Sequence, residues 1–340
     1  MKKNVFSRML ILASFAMTTM ATPAISNADT LTLKYSNFFP PTHIQSKLAE
    51  SWCQEVEKRT EGRVKVQYYP GGSLLKVKQT YDGIVDGIAD VGLSGLAYTM
   101  GRFPEMSALD LPFGFPSGVV ATKVANDVYG KLQPKEFADT KVMFFHGHGP
   151  GYIHTRDKEV KKLEDLKGLR IRSTGMSADI VTALGGIPVA MGMSDTYQSL
   201  QKGVVDGTAN PIEANQGWKL GEVTKYCVRC NETSYTTTFF VAMNKDKWAA
   251  IDAKDQQAIE KINKEWADKH GQAWDSSDQE GLVFFKDRGN IVIDLDPQET
   301  AKWKQAVAPV IDNYAADLQK KNLDGAKVVK TIRESMQANL

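Results

Sequence analysis

Cysteine is scarce in this chain, and three in 340 residues are too few for a disulfide-stapled scaffold. Cys53 falls among Leu48, Trp52 and Val56 at helical spacing and reads as a small core residue. Cys227 and Cys230 form a C-x-x-C with no second pair and no thioredoxin-like setting, which argues against zinc or dithiol chemistry. In an extended strand their Cα atoms would lie about 10 Å apart, beyond the roughly 7 Å limit for a bridge. A local turn, or a bridge to Cys53, would change that reading. An excess of one charge is missing too. Lys and Arg number 42 against 40 Asp and Glu, so there is no basic stripe of the kind a nucleic-acid partner requires. Long hydrophobic runs are also lacking. The mostly apolar stretch from Met9 to Ala21 falls short of the about 20 residues that span a bilayer. No later segment does better.

Catalytic motifs are as thin. There is no G-x-S-x-G elbow, no G-x-x-x-x-G-K phosphate loop and no H-E-x-x-H. Ser94, in Gly92-Leu93-Ser94-Gly95, lacks the elbow spacing. His146, His148 and His154 raise the thought of a metal site, but no acidic residue accompanies them. The run His146-Gly147-His148-Gly149-Pro150-Gly151 reads instead as a glycine-rich connection. No enzyme, no cofactor and no metal is expected.

What is present begins with an export signal. Lys2, Lys3 and Arg8 precede the apolar run, and Ser26-Asn27-Ala28 supplies the small residues that a signal peptidase reads. Cleavage is expected after Ala28, leaving a mature chain that is periplasmic and soluble. No cysteine stands at the cut to carry a lipid. The segment removes three basic and no acidic residues, so the mature balance is 39 against 40. Removing 28 residues from 340 leaves 312, more than one core usually serves, which predicts two lobes.

Periodicity supports an α/β chain. Leu31, Leu33 and Tyr35 alternate with polar residues, Ile44 to Val56 follows helical spacing, and Val64, Val66 and Tyr68 alternate again. Leu75 to Gly87 predicts a helix and Val91 to Leu93 a buried strand, the order of a parallel, doubly wound sheet. The pattern restarts with Val142 to Phe145, Tyr152 to Thr155, Leu169 to Arg172 and a helix from Met176. Ser194 is expected to cap the next helix, with Val204-Val205 opening a strand. The last third is helical, and 253–281 reads as a long helix bridging the lobes.

One internal echo stands out. Tyr81, Gly87 and Asp90 recur at the same offsets as Tyr197, Gly203 and Asp206, each a helix ending at glycine and then a strand. Two lobes of similar build would each offer a strand end to a shared crevice, where ligands of open parallel sheets sit. That places Leu93-Ser94-Gly95 and Thr208-Ala209-Asn210 at a ligand. Arg170 and Arg172 point the same way on their strand, so alternation cannot choose between them. Arg172 lies nearer the carboxyl end, where a guanidinium fork would match a carboxylate. A surface salt bridge to Asp165 or Glu164 is the competing reading.

Several of these stretches, in their order and spacing, carry a resemblance that covers nearly the whole mature chain. They are Tyr68-Tyr69-Pro70-Gly71-Gly72-Ser73-Leu74, Leu111-Pro112-Phe113, Leu163 to Arg172, Ser194 to Gln201 and Gly203 to Pro211. The chain resembles the substrate-binding proteins of tripartite ATP-independent periplasmic (TRAP) transporters, typified by C4-dicarboxylate and sialic acid receptors. The resemblance implies two α/β lobes joined by crossing strands and a long helix, closing around a small organic acid anion. Membrane subunits would then drive uptake from an ion gradient. It implies that Arg172, closing the K-G-hydrophobic-x-hydrophobic-R motif, pairs with the ligand carboxylate. Asn210, before proline in V-D-G-x-x-N-P, would help orient it, with Pro211 opening a helix.

The departures from the family pattern bear on specificity. Ala209 stands where dicarboxylate and sialate receptors commonly carry glutamate, Gly95 where the first lobe has a polar group, Met193 where an aromatic is frequent, and Tyr152 where sialate receptors have an arginine. A roomier, less charged pocket is expected, walled by Phe38, Tyr152, Met193 and Tyr235, with Ser94, Gly95 and Thr237 also at the ligand and Thr238 offering a further hydroxyl. That favours a bulky or aromatic monocarboxylate, with a dicarboxylate or sulfonate as the alternative. Residues 29–148 and 237–275 are assigned to the first lobe, 149–236 and 276–340 to the second. A receptor for an ATP-driven importer fits the motif order less well. A periplasmic hydrolase or metal-binding protein is the alternative of another class.

Overall fold

A computed structural model describes residues 30–340; the expected export segment and its cleavage after Ala28 lie outside the described residues. The alternating stretches form β1 (Leu31–Asn37), β2 (Val64–Tyr69) and β3 (Val91–Gly95), with α1 (Ile44–Arg59) and the short α2 (Thr80–Val85) between them. His43 starts α1 by accepting the Gln45 N–H on its ring (3.2 Å), and Lys58 and Arg59 end it where the helix dipole favours cations. Ala49, Trp52, Cys53 and Val56 form its buried face; Trp52, Cys53 and Val56 fall where the spacing puts them, while Ile44 is exposed and Leu48 only partly buried.

Next come α3 (Gly118–Leu132) and β4 (Thr140–Gly147), then β5 (Gly151–Thr155), β6 (Arg170–Ser173), α4 (Met176–Ala183) and β7 (Ile187–Ala190). After α5 (Met193–Gln201) follow β8 (Gly207–Pro211), α6 (Ala214–Gly217), β9 (Tyr226–Arg229), β10 (Thr238–Asn244) and α7 (Lys245–Ala249). The chain ends with α8 (Ala253–Asp287), β11 (Ile291–Asp294), α9 (Pro297–Lys320) and α10 (Gly325–Ala338).

Two sheets result, ordered β2-β1-β3-β10-β4 and β11-β9-β5-β8-β6-β7. Each is parallel apart from one antiparallel strand, β10 in the first and β5 in the second. Those two strands are the exchanges between lobes: β5 follows β4 after three residues, and β10 follows β9. The echo in the sequence is a structural repeat. Asp90 accepts the Lys34 N–H (2.7 Å) and donates its own to the Lys34 carbonyl (2.9 Å). Asp206 does the same with Arg170, at 2.9 and 2.7 Å. Gly87 and Gly203 both turn with positive φ (74° and 70°), a conformation open to glycine at little cost.

The glycine-rich run is the hinge. The Gly151 N–H bonds to the Tyr235 carbonyl (2.8 Å), and Thr236 Oγ1 donates to the His148 carbonyl (2.7 Å), so the two crossing segments are tied together. A Cβ on Gly149 would stand 2.1 Å from Asp278 Oδ2, and one on Gly151 2.4 Å from the Tyr235 ring. The bridging helix is longer than expected. At 35 residues it extends about 52 Å, packing on α1 and α3 of the first lobe and α6 of the second. Its Asp275 carboxylate accepts the Gly118 and Val119 N–H groups at the start of α3.

Four expectations need correction. Ser194 does not cap a helix: α5 begins at Met193, with Gly192 in the capping position. Val204 and Val205 lie in the turn before β8, not in a strand. Pro211 ends β8 rather than opening a helix, and α6 starts three residues later. The C-terminal end of 276–340 packs on the first lobe, where Val328 and Ile332 of α10 join the cluster of Val124, Val128 and Phe145. Helix α9 passes between: Trp303 and Val307 pack with the second lobe, Ile311 and Leu318 with the first. All three cysteines are buried and free.

Candidate ligand-binding site

A narrow cavity lies between the lobes, at the carboxyl ends of β6 and β8. Arg172, on β6, is only 2% exposed. Its Nε donates to the Met191 carbonyl (3.2 Å) and Nη1 to that of Ala209 (3.3 Å), while Nη2 is buried with no partner. No carboxylate pairs with it among the described residues. Arg170, two residues earlier, is half exposed and bound to the Asp206 carboxylate through Nε (3.0 Å) and Nη2 (2.7 Å). The salt bridge weighed for this strand, to Asp165 or Glu164, is not formed: Arg170 pairs with Asp206, and Asp165 with Lys158 (3.7 Å). The buried, under-satisfied guanidinium is that of Arg172.

Asn210 is 1% exposed, with Nδ2 donating to the Pro211 carbonyl (2.8 Å) and Oδ1 unpartnered. Its Nδ2 also faces His154 Nδ1 (3.4 Å), while Asn215 Nδ2 faces Nε2 (3.2 Å). Burial pushes the His154 imidazole down to about 4, so it is neutral at pH 7 and has one N–H. That N–H is used on the Tyr152 carbonyl, which leaves one ring nitrogen to accept from an amide.

The wall opposite is aromatic. Phe239 and Trp274 stack at 5.5 Å, Phe38 meets Tyr98 edge-on at 5.6 Å, and Phe38 lies parallel to Trp218 at 6.4 Å. Trp218 follows α6 in the second lobe while Phe38 and Phe39 follow β1 in the first, so these contacts shut the cleft. His148 is held between hinge segments: Nδ1 donates to the Gly149 carbonyl and Nε2 accepts the Thr237 N–H (2.9 Å). Burial, aided by the nearby Arg172 charge, pushes it down to about 4. Burial likewise raises the Tyr235 phenol well above its usual value.

Of the residues singled out by sequence, Phe38, Arg172, Met193, Asn210, Tyr235 and Thr237 line the cavity together. Three do not. Tyr152 shares a register position with Asn210, but its hydroxyl donates to Asn231 Oδ1 (2.5 Å), away from the cavity. Ser94 donates inward to the Val77 carbonyl (2.8 Å). Gly95 is covered by Tyr98 and Phe239, whose rings a Cβ would meet at 3.1 and 3.4 Å. Thr238 uses its N–H on Asp110 Oδ1 (2.7 Å) and is not at the wall. Missed by sequence were Phe39, Tyr98, Thr174, Glu213, Trp218, Phe239 and Trp274. The histidines go to separate places: His146 stacks on His270 in the first lobe (4.5 Å), His148 is in the hinge and His154 is in the second lobe.

The model for bacterial extracellular solute-binding protein, family 7 (DctP), matches residues 35–317. The C4-dicarboxylate-binding periplasmic protein DctP of Rhodobacter capsulatus is 28% identical over 305 residues, 87% of this chain and 89% of its own length. A TRAP solute binding protein from Rhodoferax ferrireducens, solved in complex with copurified benzoate, has a TM-score of 0.86 at 28% identity, covering 91% of this chain and 98% of its own. A marine metagenome TRAP solute binding protein specific for aromatic acid ligands, solved with co-crystallised 3-hydroxybenzoate, has a TM-score of 0.86 at 29% identity, covering 91% and 99%. With a shared two-lobe fold and a family match along most of its length, the chain belongs to the DctP family of bacterial extracellular solute-binding proteins, the small-organic-acid receptors of TRAP transporters.

Proposed function

We propose that this receptor takes a bulky or aromatic monocarboxylate, with Arg172 pairing with the carboxylate and Asn210 orienting the pair. It then delivers the acid in the periplasm, after signal cleavage following Ala28, to membrane subunits that use an ion gradient. The observation carrying this reading is a buried guanidinium with an unpartnered nitrogen and no protein carboxylate, facing a cavity walled by aromatic rings. Among the described residues, Arg172 is the only lysine or arginine lining that cavity. A dicarboxylate would therefore leave its second charge without a cation, and a buried unpaired charge is costly. The Rhodoferax and metagenome proteins, solved with benzoate and 3-hydroxybenzoate, support the aromatic class, while the Rhodobacter relative keeps the dicarboxylate alternative under test.

Calorimetry with a panel of organic acids tests it. An aromatic or branched monocarboxylate is expected to bind at least tenfold more tightly than succinate, about 1.4 kcal/mol. Succinate binding in preference to every such acid would refute the reading.

A further inference from the structure

Glu213 lies two residues beyond the end of β8, and its side chain is 3% exposed. It lines the cavity on one side and, with His43, an outer groove between the lobes on the other. His43 comes from the first lobe, so the pair at 3.2 Å closes the seam between cavity and groove. The His43 ring accepts the Gln45 N–H at Nδ1, which places its proton on Nε2, directed at Glu213 Oε2. That oxygen is seated tightly: a Cβ on Gly217 would come within 2.6 Å of it. The other oxygen, Oε1, has no protein donor among the described residues, although each carboxylate oxygen accepts about two hydrogen bonds. The cavity lining therefore includes two polar groups of opposite kind. Arg172 offers unused donors, and Glu213 offers an unused acceptor.

We propose that Glu213 is a specificity determinant that accepts a hydrogen bond from a hydroxyl or N–H borne by the ligand away from its carboxylate. Resting on the proposed monocarboxylate reading, this narrows the ligand to a donor-bearing acid. The same carboxylate rejects a second acid group, since two carboxylates facing each other in a buried site repel. A ligand carbon at Oε1 would leave the oxygen unsatisfied, whereas a hydroxyl replaces a water there without loss. Specificity of this kind comes from what the site refuses as well as what it holds.

The test compares three ligand types on the mature protein by calorimetry: benzoate or phenylacetate, their ring-hydroxylated isomers, and benzene-1,3-dicarboxylate. In the wild type, at least one hydroxylated isomer is expected to bind about tenfold or more tightly than its parent, and the dicarboxylate about tenfold or more weakly. Glu213→Gln keeps the shape and removes the charge, so the dicarboxylate penalty should shrink to the part owed to the missing second cation; Glu213→Ala should also erase the hydroxyl advantage. These are ratios between ligands on one protein, so a general loss of stability does not imitate the effect. Ratios unchanged by both substitutions overturn the proposal while leaving the anchor at Arg172 intact. If neither variant folds, the wild-type ratios decide, and equal affinity across the three types overturns it. Failure of every monocarboxylate to bind the wild type brings down the reading of the cavity, and this inference with it.

Discussion

Replacing Arg172 by alanine tests the site most directly, because the residue's present state fixes the expected sign of two effects. With 2% exposure, two long contacts to carbonyls and one bare nitrogen, the guanidinium lacks the anion that would compensate its desolvation. A ligand carboxylate would add two charge-assisted hydrogen bonds, each worth about 1.5–3 kcal/mol, so about 3–6 kcal/mol in total. That corresponds to roughly 100-fold to more than 10,000-fold in Kd. The ligand-free protein, by contrast, gives up no ion pair when Arg172 is removed. Its Tm should hold or rise, while the ligand-induced rise in Tm vanishes. Arg172→Lys keeps the charge without the planar fork and should fall between. Arg170→Ala breaks an exposed pair worth about 0–1 kcal/mol and should leave affinity nearly unchanged. Calorimetry and thermal unfolding read both effects. Normal affinity in Arg172→Ala with failure of Arg170→Ala would refute the assignment.

Asn210→Ala should weaken binding by about 1–3 kcal/mol in calorimetry, less than the arginine change, with circular dichroism unchanged; loss of the fold would make Asn210 a structural residue. Saturating ligand should lower the radius of gyration in small-angle scattering as the lobes close, and an unchanged profile would exclude closure. Asp110, buried beside the Thr238 N–H, has its carboxyl pushed up from 3.8 to about 8 by burial. Between those values the fold retains a proton that the unfolded chain has released. Its stabilising effect is thus fully present below pH 3.8 and is lost as pH rises through 8, at up to about 1.4 kcal/mol per pH unit. His148 and His154, lowered to about 4, act with the opposite sign as pH falls from 6.5. Urea unfolding between pH 6.5 and 8 excludes the histidines, and because Glu136, raised to about 7, and Asp278, raised by burial, share that window, the Asp110 part is the reduction in slope on Asp110→Asn.

Elements with a strong local period were legible in the sequence: β1, α1, β2 and the long bridging helix follow from spacing alone. Strand β7 was not, because Ile187-Pro188-Val189-Ala190 carries a proline, tolerated here by its position at the sheet's edge. Pro211 shows how a local rule yields to pairing: it stands opposite Gly151 in the sheet, and the strand continues through it. The proposed anchors Arg172 and Asn210 sit at strand ends, where an open sheet concentrates binding groups, and it was the family resemblance that singled them out. The aromatic wall was not. Phe39, Trp218 and Trp274 lie far apart in sequence and have the spacing of ordinary core, and only the crossing of the lobes brings them together. Tyr152 misled for the converse reason. Its strand position is right, but a side chain of Asn231 captures its hydroxyl, and no period reports that. Glu213 had one available signal, an acidic residue three beyond Asn210 within a buried stretch.

The repeat explains why the two lobes do different work. Asp90 and Asp206 anchor equivalent strand pairs, so Ser36 corresponds to Arg172 and Ser94 to Asn210. In the first lobe these positions are spent internally: Ser36 is 1% exposed and Ser94 bonds to the Val77 carbonyl. In the second they carry the unpartnered atoms Arg172 Nη2 and Asn210 Oδ1. The scaffold is shared, and the polar anchors belong to one half. The first lobe contributes Phe38, Tyr98 and Phe239 instead. On the proposed reading, an acid group alone would be held by the second lobe without calling on the first. Closure needs ligand surface that the aromatic wall can cover, because a ligand shifts the equilibrium only through contacts that differ between open and closed forms. Covering a ring that buries about 150 Å² or more is worth roughly 4 kcal/mol at 25 cal/mol per Å², before the entropy of closing is deducted. A two-carbon acid offers a small part of that. On the proposed reading, the charge selects for an anion, and the bulk of that anion should determine whether the receptor shuts around it.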